Sequence, residues 1–159
     1  MVPFAQLAQD LAAGTVPNLS YIVPDECHDS HGAPPWCVDS NAINSVQQSF
    51  LIAEMDRFAG EIVKAITSSS TWQTGNNAIV ITFDEGVLTT SKVATIVITN
   101  HGPRGVTDST SFNHYSLLAR FPATDLRPRM PGEQLHRQSD GKSLRHNRLY
   151  EHPRVAGPL

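Results

Sequence analysis

Asn76-Asn77-Ala78-Ile79-Val80-Ile81-Thr82-Phe83-Asp84-Glu85-Gly86 is the stretch on which the reading of this chain turns. Ala78 to Phe83 is a nearly continuous apolar run rich in β-branched residues, the pattern of a short strand covered on both faces. It stops at Asp84, Glu85 and Gly86, so two carboxylates stand at the carboxyl edge of the strand. In open α/β sheets that edge is where loops diverge and ligands bind. The plainer alternative is a strand followed by an acidic turn.

Working outward, Phe4, Leu7, Ala8, Leu11 and Ala12 recur at three- and four-residue spacing and predict a helix ended by Gly14. Leu19 to Val23 reads as a second buried strand, broken by Pro24. Asp25, Glu26, His28, Asp29 and His31 follow within seven positions, a density of oxygen and imidazole groups suited to a divalent cation or a phosphate. A solvated polar loop is the competing reading. Cys27 and Cys37 flank a short segment containing Gly32, Pro34 and Pro35, which a disulfide can close, although two free thiols fit the same spacing.

From Asn44 to Ile66 the apolar stripe at 51, 55, 58, 62 and 66 predicts a long helix packed on a sheet, with Glu54, Asp56, Arg57, Glu61 and Lys64 on its other face. Ser68 to Ser70 supplies an exit and Trp72 an anchor into the Ala78 strand. Strand, helix and strand in this order predict a right-handed βαβ crossover with parallel neighbours. Val93 to Thr99 reads as a further buried strand, ending at Asn100, His101, Gly102, Pro103 and Arg104. A parallel sheet would gather Asp25, Glu26 and His31, then Asp84 and Glu85, then His101 and Arg104, on one rim. Asn113 and His114 precede a short helical stretch, where His114 either reaches that rim or bonds a loop backbone.

The chain has 159 residues and 40% hydrophobic residues, enough for one domain with a core. Residues 1–121 carry five basic and eleven acidic side chains, the remainder seven and four. The basic end has no repeated basic face and no interleaved aromatics, which argues against nucleic acid as a partner. No apolar run approaches the roughly 20 residues that span a bilayer, so no transmembrane segment is expected. Met1 to Gly14 lacks a basic n-region and an apolar core, so no export signal is read there. After Phe121, where five of the eleven prolines fall, apolar periodicity ends. Residues 1–121 are thus expected to form the domain and 122–159 a disordered, divergent tail.

The segments Leu19-Ser-Tyr-Ile-Val-Pro-Asp-Glu-Cys-His-Asp-Ser-His-Gly, Ala78-Ile-Val-Ile-Thr-Phe-Asp-Glu-Gly, Thr95-Ile-Val-Ile-Thr-Asn-His-Gly-Pro-Arg-Gly and Phe112-Asn-His-Tyr-Ser-Leu-Leu together resemble the phosphoesterase family. That family includes bacterial non-specific phospholipases C and acid phosphatases, within the alkaline-phosphatase-like superfamily. The resemblance implies an α/β fold, a mainly parallel sheet flanked by helices as part of an alkaline-phosphatase-like fold. It implies hydrolysis of phosphate esters, either small phosphomonoesters or phospholipid headgroups, with a divalent metal cation as cofactor. Asp84 and Glu85 map onto the metal-binding acidic pair. His31 and His28 map onto the catalytic histidine-rich loop, with Asp25, Glu26, Asp29, His101, Arg104, Asn113 and His114 near the site. Family members are usually secreted or bound to the cell envelope, which favours the Cys27–Cys37 disulfide.

The resemblance also implies that only the C-terminal portion of such an enzyme is represented. The family's earlier Glu-Asn metal motif and its serine or threonine nucleophile find no counterpart here, and nothing among the expected partners supplies that half. From Arg120 onward the sequence departs from the family, which suggests a shifted reading frame or a divergent end. The expectation is a phosphoesterase fragment with weak or no turnover; the alternative is a non-catalytic phosphate-ester- or metal-binding remnant.

Overall fold

The first helix shows how local sequence sets the architecture. In this computed structural model, which describes residues 1–38, 45–86, 92–118 and 148–151, α1 runs over Ala5–Ala13. It ends at Gly14, which takes the left-handed conformation (φ 65°) that glycine adopts without a Cβ clash. Gly14 N–H then bonds the carbonyl of Leu11 (3.3 Å) and Thr15 N–H that of Asp10 (2.9 Å), a paired closure of the last turn.

Strands β1 (Val2–Pro3) and β2 (Ser20–Val23) flank α1 in sequence but do not touch as neighbours. Between them lies β5 (Arg148–Glu151), parallel to both, with Tyr150 opposite Val2 on one side and Ile22 on the other. Leu7, Leu11 and Tyr150 form the core on this sheet, with Val2, Phe4, Val16, Ile22, Ile62 and Ile66 packed around them. Tyr150 is wholly buried, and its hydroxyl donates to Asp10 Oδ2 at 2.6 Å across 140 residues of chain. Asp10 is itself only 3% exposed. Its other oxygen accepts from Gln6 Nε2 (3.1 Å) and Thr15 Oγ1 (3.5 Å), so the buried carboxylate is compensated from both sides.

Helix α2 spans Ser45–Thr67. Its stripe meets the core as the spacing predicts: Leu51 and Phe58 are buried, and Met55, Ile62 and Ile66 are half-buried. On the outer face Arg57 bridges Glu54 and Glu61, each at 2.8 Å. The hydrogen bond from Arg57 holds the Glu54 carboxyl below its usual range. After Thr67, Ser69 Oγ donates to Ile66 O (2.7 Å) and buried Trp72 anchors the exit.

Two elements complete a separate ribbon. β3 (Ala78–Thr82) and β4 (Thr95–Thr99) pair antiparallel, with Ile79 opposite Ile98, Val80 opposite Val97 and Ile81 opposite Ile96. Asn77 and Asn100 tie this ribbon to the end of α2: Asn77 Nδ2 donates to Thr71 O (3.0 Å) and Asn100 Nδ2 to Trp72 O (2.6 Å). Last comes α3, a single short helix at His114–Leu118.

The expected mainly parallel sheet flanked by helices is therefore corrected. The described residues are, α2 apart, loops and short elements, and β3, read as the central strand, sits in a two-stranded antiparallel sheet apart from β2. Neither is it covered on both faces, since Ile79 to Ile81 are half-buried and Ala78 and Thr82 are exposed. An apolar run identifies a strand but not its partner, and the parallel neighbour of β2 comes instead from Arg148–Glu151. Those four residues belong to the stretch 122–159 that the sequence reading assigns to the tail. Residues 122–147 and 152–159 lie outside the described residues, as do Asp39 and Asn41 before α2.

Removing the Tyr150 hydroxyl tests how much the buried Asp10 pairing contributes. Tyr150→Phe is expected to lower unfolding free energy by about 1 to 3 kcal/mol, because one oxygen of a desolvated carboxylate loses its donor. Urea denaturation followed by far-UV circular dichroism measures it.

Candidate functional site

Pro24 ends the ladder after β2 and the chain turns at once into the acidic, histidine-bearing loop. Asp25 organises it. The Asp25 side chain is almost wholly buried, and its Oδ1 accepts the backbone N–H groups of Cys27 and His28, both at 3.1 Å, together with His28 Nδ1 at 2.5 Å. Its carbonyl accepts the N–H groups of His28 (2.9 Å) and Asp29 (3.0 Å). An aspartate after a strand commonly closes a turn this way, by bonding backbone two and three residues ahead.

The loop meets α2 at Phe58, Leu51 and Met55 and is closed on itself by a disulfide. The His28 ring lies 4.6 Å from the Phe58 ring, which in turn lies 5.5 Å from Phe4. Ser30, in the left-handed region at φ 76°, donates its hydroxyl to Leu51 O (3.5 Å) and to Met55 Sδ (3.4 Å). Cys27 and Cys37 form a disulfide with Cα atoms 5.9 Å apart, and Ala33 N–H points at Cys37 Sγ (3.0 Å). Of the two thiol readings open in the sequence, the disulfide is the one formed.

Beside this loop lies an open cleft of about 700 Å³, lined by Asp25, Cys27, His28, Trp36, Cys37, Val38, Phe50, Leu51 and Glu54. The sequence pattern places Glu54 on the outer face of the helix and assigns neither Trp36 nor Phe50 to a site. Trp36 carries a usable signal, a large aromatic between Pro35 and a disulfide cysteine; Phe50 lies beside the buried stripe position Leu51 and shows only as an extra apolar residue. Both rings are about half exposed, Trp36 at 59% and Phe50 at 50%. His31 stands outward on the same loop, its Nδ1 3.0 Å from Asp29 Oδ1, and Glu26 is exposed.

The other predicted residues are elsewhere. Asp84 and Glu85 are exposed just beyond β3, where Asp84 Oδ1 accepts the N–H of Glu85 (3.0 Å). His114 comes to that end, its Nε2 donating to Phe83 O (2.8 Å), a backbone contact next to Asp84. Asn113 caps α3: its Oδ1 accepts Ser116 N–H (2.9 Å) while its own N–H bonds Ser116 Oγ (2.8 Å), a reciprocal closure of the helix start. His101 donates its Nε2 to Gly75 O (3.0 Å), next to the start of β3, and Arg104 is exposed beyond it.

The gathering of three strand ends on one rim does not occur. Antiparallel pairing puts the carboxyl end of β4, with His101, beside the amino end of β3. Five-residue strands separate the two ends by about 17 Å. His101 and Arg104 are thus directed away from Asp84 and Glu85 by the pairing itself.

The phosphoesterase family model matches residues 1–123. The chain belongs to the phosphoesterase family. The match covers the bulk of the chain, which corrects the expectation that the resemblance is to a C-terminal portion alone. Neither a curated protein nor a solved structure matches it. Phosphoesterases are often metal-dependent, yet among the described residues no three histidine, cysteine, aspartate or glutamate side chains come together to hold an ion. The acidic pair Asp84 and Glu85 supplies two neighbouring carboxylates without a third ligand, while Asp25 spends its oxygen inside the loop. The residues described do not fit the expected cation. No helix among the described residues is long and apolar enough to cross a membrane.

The disulfide should carry much of the loop's order. Reduction, or Cys27→Ser with Cys37→Ser, is expected to lower stability by roughly 2 to 3 kcal/mol in the chain-entropy model for a loop this short. Comparing urea midpoints with and without reductant, alongside alkylation and intact-mass measurement, provides the check.

Proposed function

We propose that this phosphoesterase-family chain binds a phosphate ester bearing an apolar or aromatic group and does not hydrolyse it. The observation that carries this reading is how the loop after β2 uses its acidic side chain. Asp25 accepts three internal hydrogen bonds, so it holds the loop in shape instead of offering oxygen to a metal. The candidate metal pair, Asp84 and Glu85, lies on the other sheet, with no third ligand gathered among the described residues.

The cleft beside the loop supports the binding half of the proposal. Trp36, Phe50, Leu51 and Val38 give it an apolar wall for the ester's organic group. Its two carboxylates are already compensated, Asp25 by His28 and two N–H groups, Glu54 by Arg57 at 2.8 Å, which reduces their repulsion of an anion. His28, which lines the cleft, is the group proposed to meet the phosphate there, with His31 outside the cleft on the same loop. Whether the ester is a small phosphomonoester or a phospholipid headgroup sets the ligands for the test.

Calorimetric titration of the full chain with phenyl phosphate and with phosphocholine, with and without divalent cations, tests it beside an assay of phosphate release. Phenyl phosphate is expected to bind with a dissociation constant on the order of 1 mM, as an open, exposed site permits. Trp36→Ala should weaken it severalfold, and no phosphate should be released. Absence of binding defeats the proposal. So does cation-dependent turnover that disappears in Asp84→Asn, which would restore the hydrolase reading and the metal role of the acidic pair.

A further inference from the structure

Among the described residues the β3–β4 ribbon leaves the outer edges of both strands unpaired, and the apolar surface of β4 is the more exposed. Ile96 and Val97 are each 56% exposed, whereas Ile79, Val80 and Ile81 on the neighbouring strand are half-buried. Among the described residues β4 pairs only with β3. A lone two-stranded sheet is marginal in water, and an uncharged β-branched edge is a template for another strand.

The order of residues along β4 says which strand fits. Thr95-Ile96-Val97-Ile98-Thr99 reads the same in both directions. We propose that β4 pairs antiparallel with β4 of a second copy of this chain, about a two-fold axis through Val97. In that register Val97 faces Val97, Ile96 faces Ile98 and Thr95 faces Thr99, so every side chain meets its equal in size on the same sheet face.

The backbone is turned the right way for it. Asn100 N–H bonds Asn77 O (3.2 Å) in the ladder with β3, and along an antiparallel strand the residues that face one neighbour alternate with those that face the other. Ile98 and Ile96 therefore bond β3, and the N–H and carbonyl groups of Thr95, Val97 and Thr99 point to the open edge. These are the residues that the two-fold sets opposite one another, and each facing pair exchanges two backbone hydrogen bonds. Charge does not oppose the contact: β4 carries none, and beyond it Lys92 faces Gly102 of the second copy. The result is a closed, isologous four-stranded sheet with the isoleucines of both copies on one face.

The contact is small beside the roughly 1,200 Å² that stable complexes bury, so the dimer is weak, with a dissociation constant on the order of tens of micromolar. Sedimentation velocity of the full chain over a concentration series reads it directly, with a monomer–dimer equilibrium expected. Val97→Pro removes an outward N–H without touching the bonds to β3, and Val97→Lys sets like charges face to face. Each should weaken the dimer about tenfold or more, with far-UV circular dichroism unchanged. Val97→Cys should give a covalent dimer with a short thiol-to-thiol bifunctional linker, which spans the wide Cβ separation of a hydrogen-bonded pair, and it decides the matter if the other variants fail to fold. A chain that stays monomeric throughout overturns the proposal, as do a dimer indifferent to both substitutions, open-ended aggregation without a dimer, or a Val97→Cys protein that the linker leaves monomeric.

Discussion

The Tyr150–Asp10 hydrogen bond is the constraint on which the main body depends. A carboxylate at 3% exposure is costly unless its oxygens are met, and here one oxygen is met by a hydroxyl 140 residues away along the chain. The same tyrosine fills the middle of the three-stranded sheet, with β1 and β2 bonded on either side of its strand. Among the described residues those two strands pair only with β5, and Leu7 and Leu11 of α1 pack against Tyr150. Helix α2 then closes the other side of α1 through Ile62 and Ile66.

The ribbon obeys a different constraint. Asn77 and Asn100 bind it to the turn after α2, and its two strands answer each other's side chains at every position, down to the hydroxyl pair Thr82 and Thr95 at 3.0 Å. Pairing of this kind is set by register and strand direction, and direction alone decides which loops become neighbours. Because β3 and β4 run oppositely, residues that follow two strand ends lie at the two ends of one ribbon. The chemistry suggested by Asp84, Glu85, His101 and Arg104 as a group is dispersed by that single fact of topology.

Asp25 illustrates how one residue type serves two physical roles. A carboxylate after a strand, followed by histidines, has the donor atoms a cation needs. It has equally the acceptor atoms that a tight turn needs, and here the buried Oδ1 serves the second use, accepting the N–H groups of Cys27 and His28. The disulfide closes the loop on itself while the Phe58 and Ser30 contacts hold it against α2, and the cleft with Trp36 and Phe50 is what remains beside it.

Local patterns in the sequence determined α1 with its glycine stop, the α2 stripe from Leu51 to Ile66, and the existence of β2, β3 and β4, because each depends on neighbours within a few turns or residues. The four motifs that resemble the phosphoesterase family were equally legible, since a family is read from residues in order. The tertiary structure alone decided which strands pair, that Arg148–Glu151 supplies the middle of a sheet, and that Asp25 faces inward while Asp84 and Glu85 face water. Apolar spacing shows that a strand will bury a face, whereas its partner and direction follow from which surfaces, however distant in the chain, can satisfy its backbone and fill the core together.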